Sequence, residues 1–215
     1  MSARDDILAR VRRAAGHRAA HPGAHPPPEI AGGFALFAAT LTSVGGEAHG
    51  PVPAAELGDT VGALLEAWGE AGRVVAEPDA ANLLDSGPWE IASDLPPASF
   101  ADVGVAIVPG TIGVAESGAV AVERARAPHR ALHFLCRRLV LLLPRAAVVP
   151  DLHTAFAGLA KAGGSPGDVT WVSGPSKTAD IEQALVYGAH GPLAAAVVAY
   201  ESTAAEAAIP DRGAQ

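Results

Sequence analysis

Residues 139–143 read Leu-Val-Leu-Leu-Leu, and residues 103–108 read Val-Gly-Val-Ala-Ile-Val. Neither run alternates apolar with polar side chains. A strand that faces water on one side alternates, whereas a strand apolar at every position has to be covered on both faces. Bounded by Arg137-Arg138 and by Gly110, these runs predict central strands of a parallel sheet clothed by helices. Arg73–Ala76, Ala119–Val122, Thr170–Val172 and Pro192–Tyr200 read as further strands, with a short one at Glu47–His49. Helical spacing falls between them, at Phe34–Thr42, Asp59–Ala71, Ala80–Leu84, Pro150–Gly163 and Ala179–Tyr187. The clearest of these places Val61, Leu64, Leu65 and Trp68 on one face, with Asp59 or Thr60 as cap and Gly72 as stop. Strands alternating with helices predict an α/β fold, a mainly parallel sheet with helices on both faces. The close spacing from Gly113 to Val122 adds some antiparallel pairing. Ligand sites in such sheets form beyond the C-terminal ends of strands, and residues 109–118 and 173–180 are expected there.

The chain has 215 residues, enough for one sizeable core. Hydrophobic residues make up 49% and charged residues 18%, which excludes a disordered chain. A net charge of −8 argues against a general nucleic-acid or anionic-membrane surface. No run reaches the roughly 18 apolar residues of a membrane span, and no signal core follows Met1, so a cytoplasmic protein is expected. One cysteine, Cys136, excludes an intrachain disulfide and any all-cysteine metal or iron–sulfur site in the chain. Its apolar setting, Leu132-His133-Phe134-Leu135, predicts a buried structural thiol. Three segments follow: an arm at 1–29, a domain at 30–203 and a tail at 204–215. The arm has a helix capped by Ser2, with Ile7, Leu8 and Val11 on one face, then a Pro-rich linker. His17, His21 and His25 in that linker have the spacing of a helical metal site, but Pro22 and Pro26–Pro28 oppose the helix, and they read as solvated.

Four stretches bear on chemistry. Residues 173–182, Ser-Gly-Pro-Ser-Lys-Thr-Ala-Asp-Ile-Glu, join a strand to an expected helix. A helix N-terminus offers free N–H groups to a phosphate or carboxylate. Ser173, Gly174, Ser176, Lys177, Thr178 and Asp180 are the candidate ligand-binding residues there. The alternative is capping alone by Ser176 or Thr178, with Asp180 and Glu182 already complementing the dipole. Gly113-Val114-Ala115-Glu116-Ser117-Gly118 places Glu116 in an apolar run. Glu116 reads either as a general acid or base activated by desolvation or as a carboxylate satisfied by backbone N–H groups in a tight turn. Ser117 and Gly118 accompany it as ligand-binding candidates. His190, in Gly188-Ala189-His190-Gly191-Pro192, reads as a hydrogen-bond donor to a helix C-terminus or as a ligand contact. Arg124, Arg126, His129, Arg130 and His133 form a basic stretch that suits an acidic partner or a solvated loop. No metal-ligand spacing and no Ser–His–Asp set stands out.

Taken in order, the segments 113–118, 173–182 and 188–192 resemble the signature of the lactate utilization protein C family, the LUD-domain proteins, over roughly residues 30–203. The resemblance departs at Ser117, where many members have Thr, and at Leu135-Cys136-Arg137-Arg138, where many have a Leu-Pro step. It implies the fold shared by ribose-5-phosphate isomerase, glucosamine-6-phosphate isomerase and CoA transferases. It also implies a part in oxidising L-lactate to pyruvate beside iron–sulfur and Cys-rich partners of one operon, which carry the clusters while this chain carries no cofactor. An accessory or ligand-binding subunit holding a small carboxylate or phosphate-bearing ligand is the first expectation. An independent CoA-transferase-like or sugar-phosphate-isomerase-like enzyme using Glu116 is the second, and a regulatory ligand sensor the third.

Overall fold

A computed structural model describes residues 2–14, 23, 29–69, 72–162, 166–180 and 183–202. The Pro-rich linker with its three histidines, Ile181-Glu182 and the tail from 203 onward lie outside the described residues. In chain order the elements are α1 (Ala3–Ala14), α2 (Phe34–Ser43), β1 (Glu47–Pro53), α3 (Leu57–Trp68), β2 (Arg73–Ala76), α4 (Pro78–Leu83), β3 (Glu90–Ile91), β4 (Val103–Pro109), β5 (Ile112–Val114), β6 (Ala119–Glu123), α5 (Arg130–Leu135), β7 (Arg138–Pro144), β8 (Val148–Val149), α6 (Leu152–Lys161), β9 (Val169–Val172), β10 (Lys177–Thr178), β11 (Val186–Tyr187) and β12 (Ala194–Glu201). Short 3-10 turns fill several of the connections.

The continuous apolar runs occupy the middle of a six-stranded sheet, ordered β1-β12-β7-β4-β2-β3 and parallel throughout. Leu141 of β7 pairs with Val197 of β12 on one side and Val108 of β4 on the other. Successive side chains point to opposite faces. Leu139, Leu141 and Leu143 therefore pack with Phe37 and Leu41 of α2 and Leu132 of α5. Val140 and Leu142 pack instead with Leu57, Val61 and Leu64 of α3 and with Ala80 of α4. Both faces are covered by helices, as the lack of alternation requires.

A second, four-stranded sheet runs β8-β5-β6-β9. The β5–β6 hairpin is the antiparallel pairing expected near residues 113–122, with Gly113 opposite Val120. The strand at 169–172 joins this sheet, antiparallel to β6, rather than the parallel one. Ala155 and Leu159 of α6 cover it over Ile112, Val114 and Ala121.

Three expectations need correction. First, no helix runs from 179 to 187 among the described residues. β10 and β11 form a small antiparallel pair there, with Lys177 opposite Tyr187 and Thr178 opposite Val186. Ala179, Asp180, Gln183, Ala184 and Leu185 are all exposed. A short amphipathic segment with no surface on which to bury its apolar face has little to hold it helical. Second, the 173–180 turn leaves the antiparallel sheet and lies beside Pro192, which leads into the N-terminal end of β12, so it is not at the C-terminal edge of the parallel strands. Third, α3 starts at Leu57 without a side-chain cap and ends at Gly69, whose φ of 57° makes it the left-handed C-cap in place of Gly72.

Candidate functional site

The turn after β9 is held from two sides. Ser173 Oγ donates to the carbonyl of Ser117 at 2.7 Å. Ser176 N–H donates to the carbonyl of Pro192 at 2.9 Å, and Gly188 N–H donates to the carbonyl of Ser176 at 2.9 Å. Gly174 has φ 70°, and a Cβ there would come within 2.9 Å of the Val44 carbonyl oxygen. Only glycine lets the turn lie so close to the end of α2. The three segments picked out in the sequence therefore touch one another, 117 through 173 and 188–192 through 176.

Not every candidate side chain serves a ligand. The Lys177 ammonium donates to the carbonyl of Val44, the C-cap residue of α2, and lies 5.6 Å from the centre of the Tyr187 ring. A cation at a helix C-terminus complements its dipole. With no helix beginning at 179, the N–H cradle expected for an anion has no counterpart among the described residues. Thr178 belongs to the β10–β11 ladder, and Asp180 is exposed. Gly188, with φ 73°, ends no helix, so His190 does not sit at the helix C-terminus expected before it.

His190 instead borders a cavity of about 190 Å³ together with His133, Trp171, Ser173, Pro175 and Ser176. Phe134, His190 and Gly191 also border a second groove of about 380 Å³ that runs past Leu135 and Leu193. Among the described residues, no Asp, Glu, Lys or Arg lines the first cavity. His133 is 3% exposed, and its buried Nδ1 has no hydrogen-bond partner. Burial pushes its pKa down to about 4, with Arg130 and His129 acting in the same direction. The neutral imidazole is therefore the form present at pH 7.

Glu116 is half-buried and stands apart from this cavity. Its Oε1 accepts from the N–H of Leu152, the first residue of α6, at 2.8 Å. Asp151 caps the same helix, accepting from Thr154 N–H at 2.8 Å, and that hydrogen bond holds its carboxyl below the usual range. Two carboxylates thus satisfy one helix N-terminus, which matches the tight-turn reading of Glu116. Gly118, with φ 62°, lets the turn abut α2: a Cβ there would sit 2.6 Å from the backbone nitrogen of Leu41. Ser117 Oγ is buried without a partner.

The basic stretch is spent on local pairs. Arg124 meets Asp168 at 3.2 Å, Arg126 meets Asp79 at 3.1 Å, and His129 Nδ1 meets Glu77 at 2.8 Å. Glu77 is fully buried and also accepts from the His129 backbone N–H at 3.0 Å. Burial raises its pKa, and the hydrogen bonds from His129 offset part of that rise. Sequence reasoning missed Glu77, although an acid placed directly after the apolar strand Val74-Val75-Ala76 was a usable signal. Cys136 is the buried thiol expected, with its pKa pushed up to about 12. Among the described residues no group of His, Cys, Asp and Glu is placed to hold a metal ion. No helix among them is long and apolar enough to cross a membrane.

A parallel sheet covered on both faces, an attached antiparallel sheet and a cavity bordered by the 173–176 and 190–192 turns define the class, an α/β domain. The chain belongs to the LUD domain family, whose model matches residues 79–200. Lactate utilization protein C of Geobacillus kaustophilus is 38% identical over 105 residues, 47% of this chain and 43% of that protein. The protein of the same name from Bacillus licheniformis is 33% identical over 144 residues, 65% of this chain and 56% of the relative. The chain thus spans about half the length of the curated relatives it matches. A solved structure of a DUF162 family protein from Deinococcus radiodurans superposes with a TM-score of 0.58 at 19% identity, covering 77% of this chain and 94% of the other. That likeness supports the fold.

Proposed function

We propose that this chain is a ligand-binding component of an L-lactate utilization system that oxidises L-lactate to pyruvate. In this reading it acts in the cytoplasm beside iron–sulfur and Cys-rich partner proteins, which move the electrons. The relatives named lactate utilization protein C support the pathway. The observation that carries the ligand-binding part is the open cavity of about 190 Å³ bordered by the turns at 173–176 and 190–192 and by His133. Ser173, Gly174, Ser176 and His190 border it, and the Ser117 carbonyl, in the turn that Gly118 completes, accepts from Ser173. A role for this chain as an accessory rather than a redox subunit fits its single cysteine, which is buried and held as the thiol.

Deletion of the coding sequence is expected to abolish or strongly slow growth on L-lactate while leaving growth on pyruvate intact. Reintroduction of the wild-type chain should restore it, and affinity purification of the tagged chain from lactate-grown cells should bring down iron–sulfur proteins. Normal growth of the deletion strain on L-lactate would sink the proposal.

A further inference from the structure

Arg137 carries a charge that the fold leaves unpaired. Arg73, Arg124, Arg126 and Arg145 each meet a carboxylate at 3.2 Å or less. Among the described residues, Arg137 meets none. Its neighbour Arg138 donates to the Trp68 carbonyl at 2.7 Å and lies 5.5 Å from the centre of the Trp68 ring, on the α3 face of the parallel sheet. Successive side chains point to opposite faces, so Arg137 is on the α5 face, exposed, at the border of the groove of about 380 Å³. The backbone fixes the place of that groove. Arg137 N–H donates to the Val103 carbonyl at 3.2 Å, and Leu193 N–H donates to the Arg137 carbonyl at 2.8 Å. The groove therefore sits at the N-terminal edge of β4, β7 and β12, away from the loops at their C-terminal ends. Its apolar border is Phe134 and Leu135, at the end of α5, with Leu193; they are 46%, 51% and 44% exposed. Arg137 is the one Asp, Glu, Lys or Arg among the described residues that lines it.

A lone cation in an apolar groove limits what the groove takes. A single guanidinium compensates a single negative charge, and its planar fork suits a carboxylate. Exposed apolar side chains gain by covering an apolar body. The chain's net charge of −8 repels anions at long range, so any attraction has to be local, as it is beside Arg137. A volume of about 380 Å³ lies at the lower end of the roughly 300–1,000 Å³ of small-molecule clefts. We propose that this groove binds a small monocarboxylate with an apolar body, the carboxylate on the Arg137 guanidinium and the body across Phe134, Leu135 and Leu193. The site adjoins the cavity of the lactate reading through Phe134, His190 and Gly191 and stands independently of it.

The test is calorimetry and thermal denaturation of the full chain at pH 7 with octanoate, octanol, octylamine and acetate. The first three share an apolar body and differ in charge; acetate keeps the carboxylate and lacks the body. L-lactate is run beside them. Octanoate is expected to bind at one site per chain, to raise the melting temperature and to bind more weakly as salt rises. Octanol and acetate should bind at least about tenfold more weakly, and octylamine not at all. Arg137→Gln should weaken octanoate binding about tenfold and Arg137→Lys less. Both should melt like wild type, because the Arg137 side chain is exposed. Leu135→Ala, at a side chain 51% exposed, should weaken octanoate binding and leave that of acetate unchanged. The proposal is overturned if octanoate does not bind, if octanol, octylamine or acetate binds as tightly, or if Arg137→Gln binds octanoate like wild type. It is also overturned if sedimentation shows a dimer that octanoate does not dissociate and Leu135→Ala weakens, since a second copy then covers the groove. Binding of L-lactate while octanoate is inert removes this site and leaves the lactate reading standing. Binding of octanoate that depends on Arg137, in a chain whose deletion leaves growth on L-lactate normal, does the reverse.

Discussion

Two side chains carry the sharpest consequences at the scale of single residues. Glu116 caps α6 through the Leu152 N–H. Glu116→Ala should therefore destabilise the fold by about 1 kcal/mol, the usual cost of a lost cap, and Glu116→Gln, which keeps an acceptor oxygen, by much less. Urea denaturation measures both. Abolition of lactate-dependent growth by Glu116→Gln in a chain of unchanged stability would instead assign this carboxylate a chemical role. His133 gives a pH dependence. Its folded pKa, about 4, lies below the ordinary histidine value of 6.5, so the unfolded chain binds the proton more tightly. The stability tied to the neutral ring is present above pH 6.5 and is lost as pH falls toward 4, by on the order of 3 kcal/mol. Glu77 acts with the opposite sign, since its pKa is raised from 4.5: its contribution is present below about pH 4.5 and fades as pH rises through the folded value. Denaturation of wild type and His133→Phe between pH 4 and 7 separates the two, because only the His133 slope disappears in the variant. Parallel curves for the two proteins would show that His133 is not held neutral. Sequence alone showed that His133 was there, in a basic stretch, but not that burial would strip its charge, because that depends on α5 packing against the 97–102 turn and β4.

At the scale of elements, the 177–187 segment separates propensity from tertiary context. Ala179, Ile181, Glu182, Ala184 and Leu185 have helical composition, yet the described part of the segment is a β-ladder pinned by Ser176 and Gly188. The expected helix had made Lys177 an anion ligand; the ladder turns its ammonium onto the C-terminus of α2. Lys177→Gln is therefore expected to lower stability by about 0.3–1 kcal/mol and to leave any binding of inorganic phosphate unchanged, read by denaturation and by calorimetry. A large loss of phosphate affinity in the variant would restore the anion site. Other elements were legible for a definite reason. β4 and β7 are apolar at nearly every position, a pattern that only a doubly covered strand tolerates. The place of β9 was not legible, since Val-Thr-Trp-Val suits either sheet and its antiparallel partner β6 lies far away in sequence. The same holds for Glu77 and His129, whose pairing across 52 positions leaves no local mark.

For the molecule as a whole, the two sheets share one continuous core. Val120 and Val122 of β6 cluster with Leu139 and Leu141 of β7, so the antiparallel sheet is built into the domain rather than appended to it. The N-terminal arm differs. α1 has no buried residue, and Ile7 and Val11 are 59% and 58% exposed. Its capping interactions, Ser2 with Asp5, are internal to the helix. A helix this short is marginal by itself in water and adds little to the stability of a domain it does not touch through a buried side chain. A chain that begins at residue 30 should therefore unfold in urea with the same midpoint as the full chain, within the roughly 0.5 kcal/mol typical of changes away from the core, and with the same denaturant slope, because the surface exposed on unfolding hardly changes. If the truncated chain keeps its stability but fails to restore growth on L-lactate, the exposed Ile7–Val11 face of α1 is where a partner protein engages. If it loses stability, the arm packs on the domain in solution and the division at residue 29 is wrong.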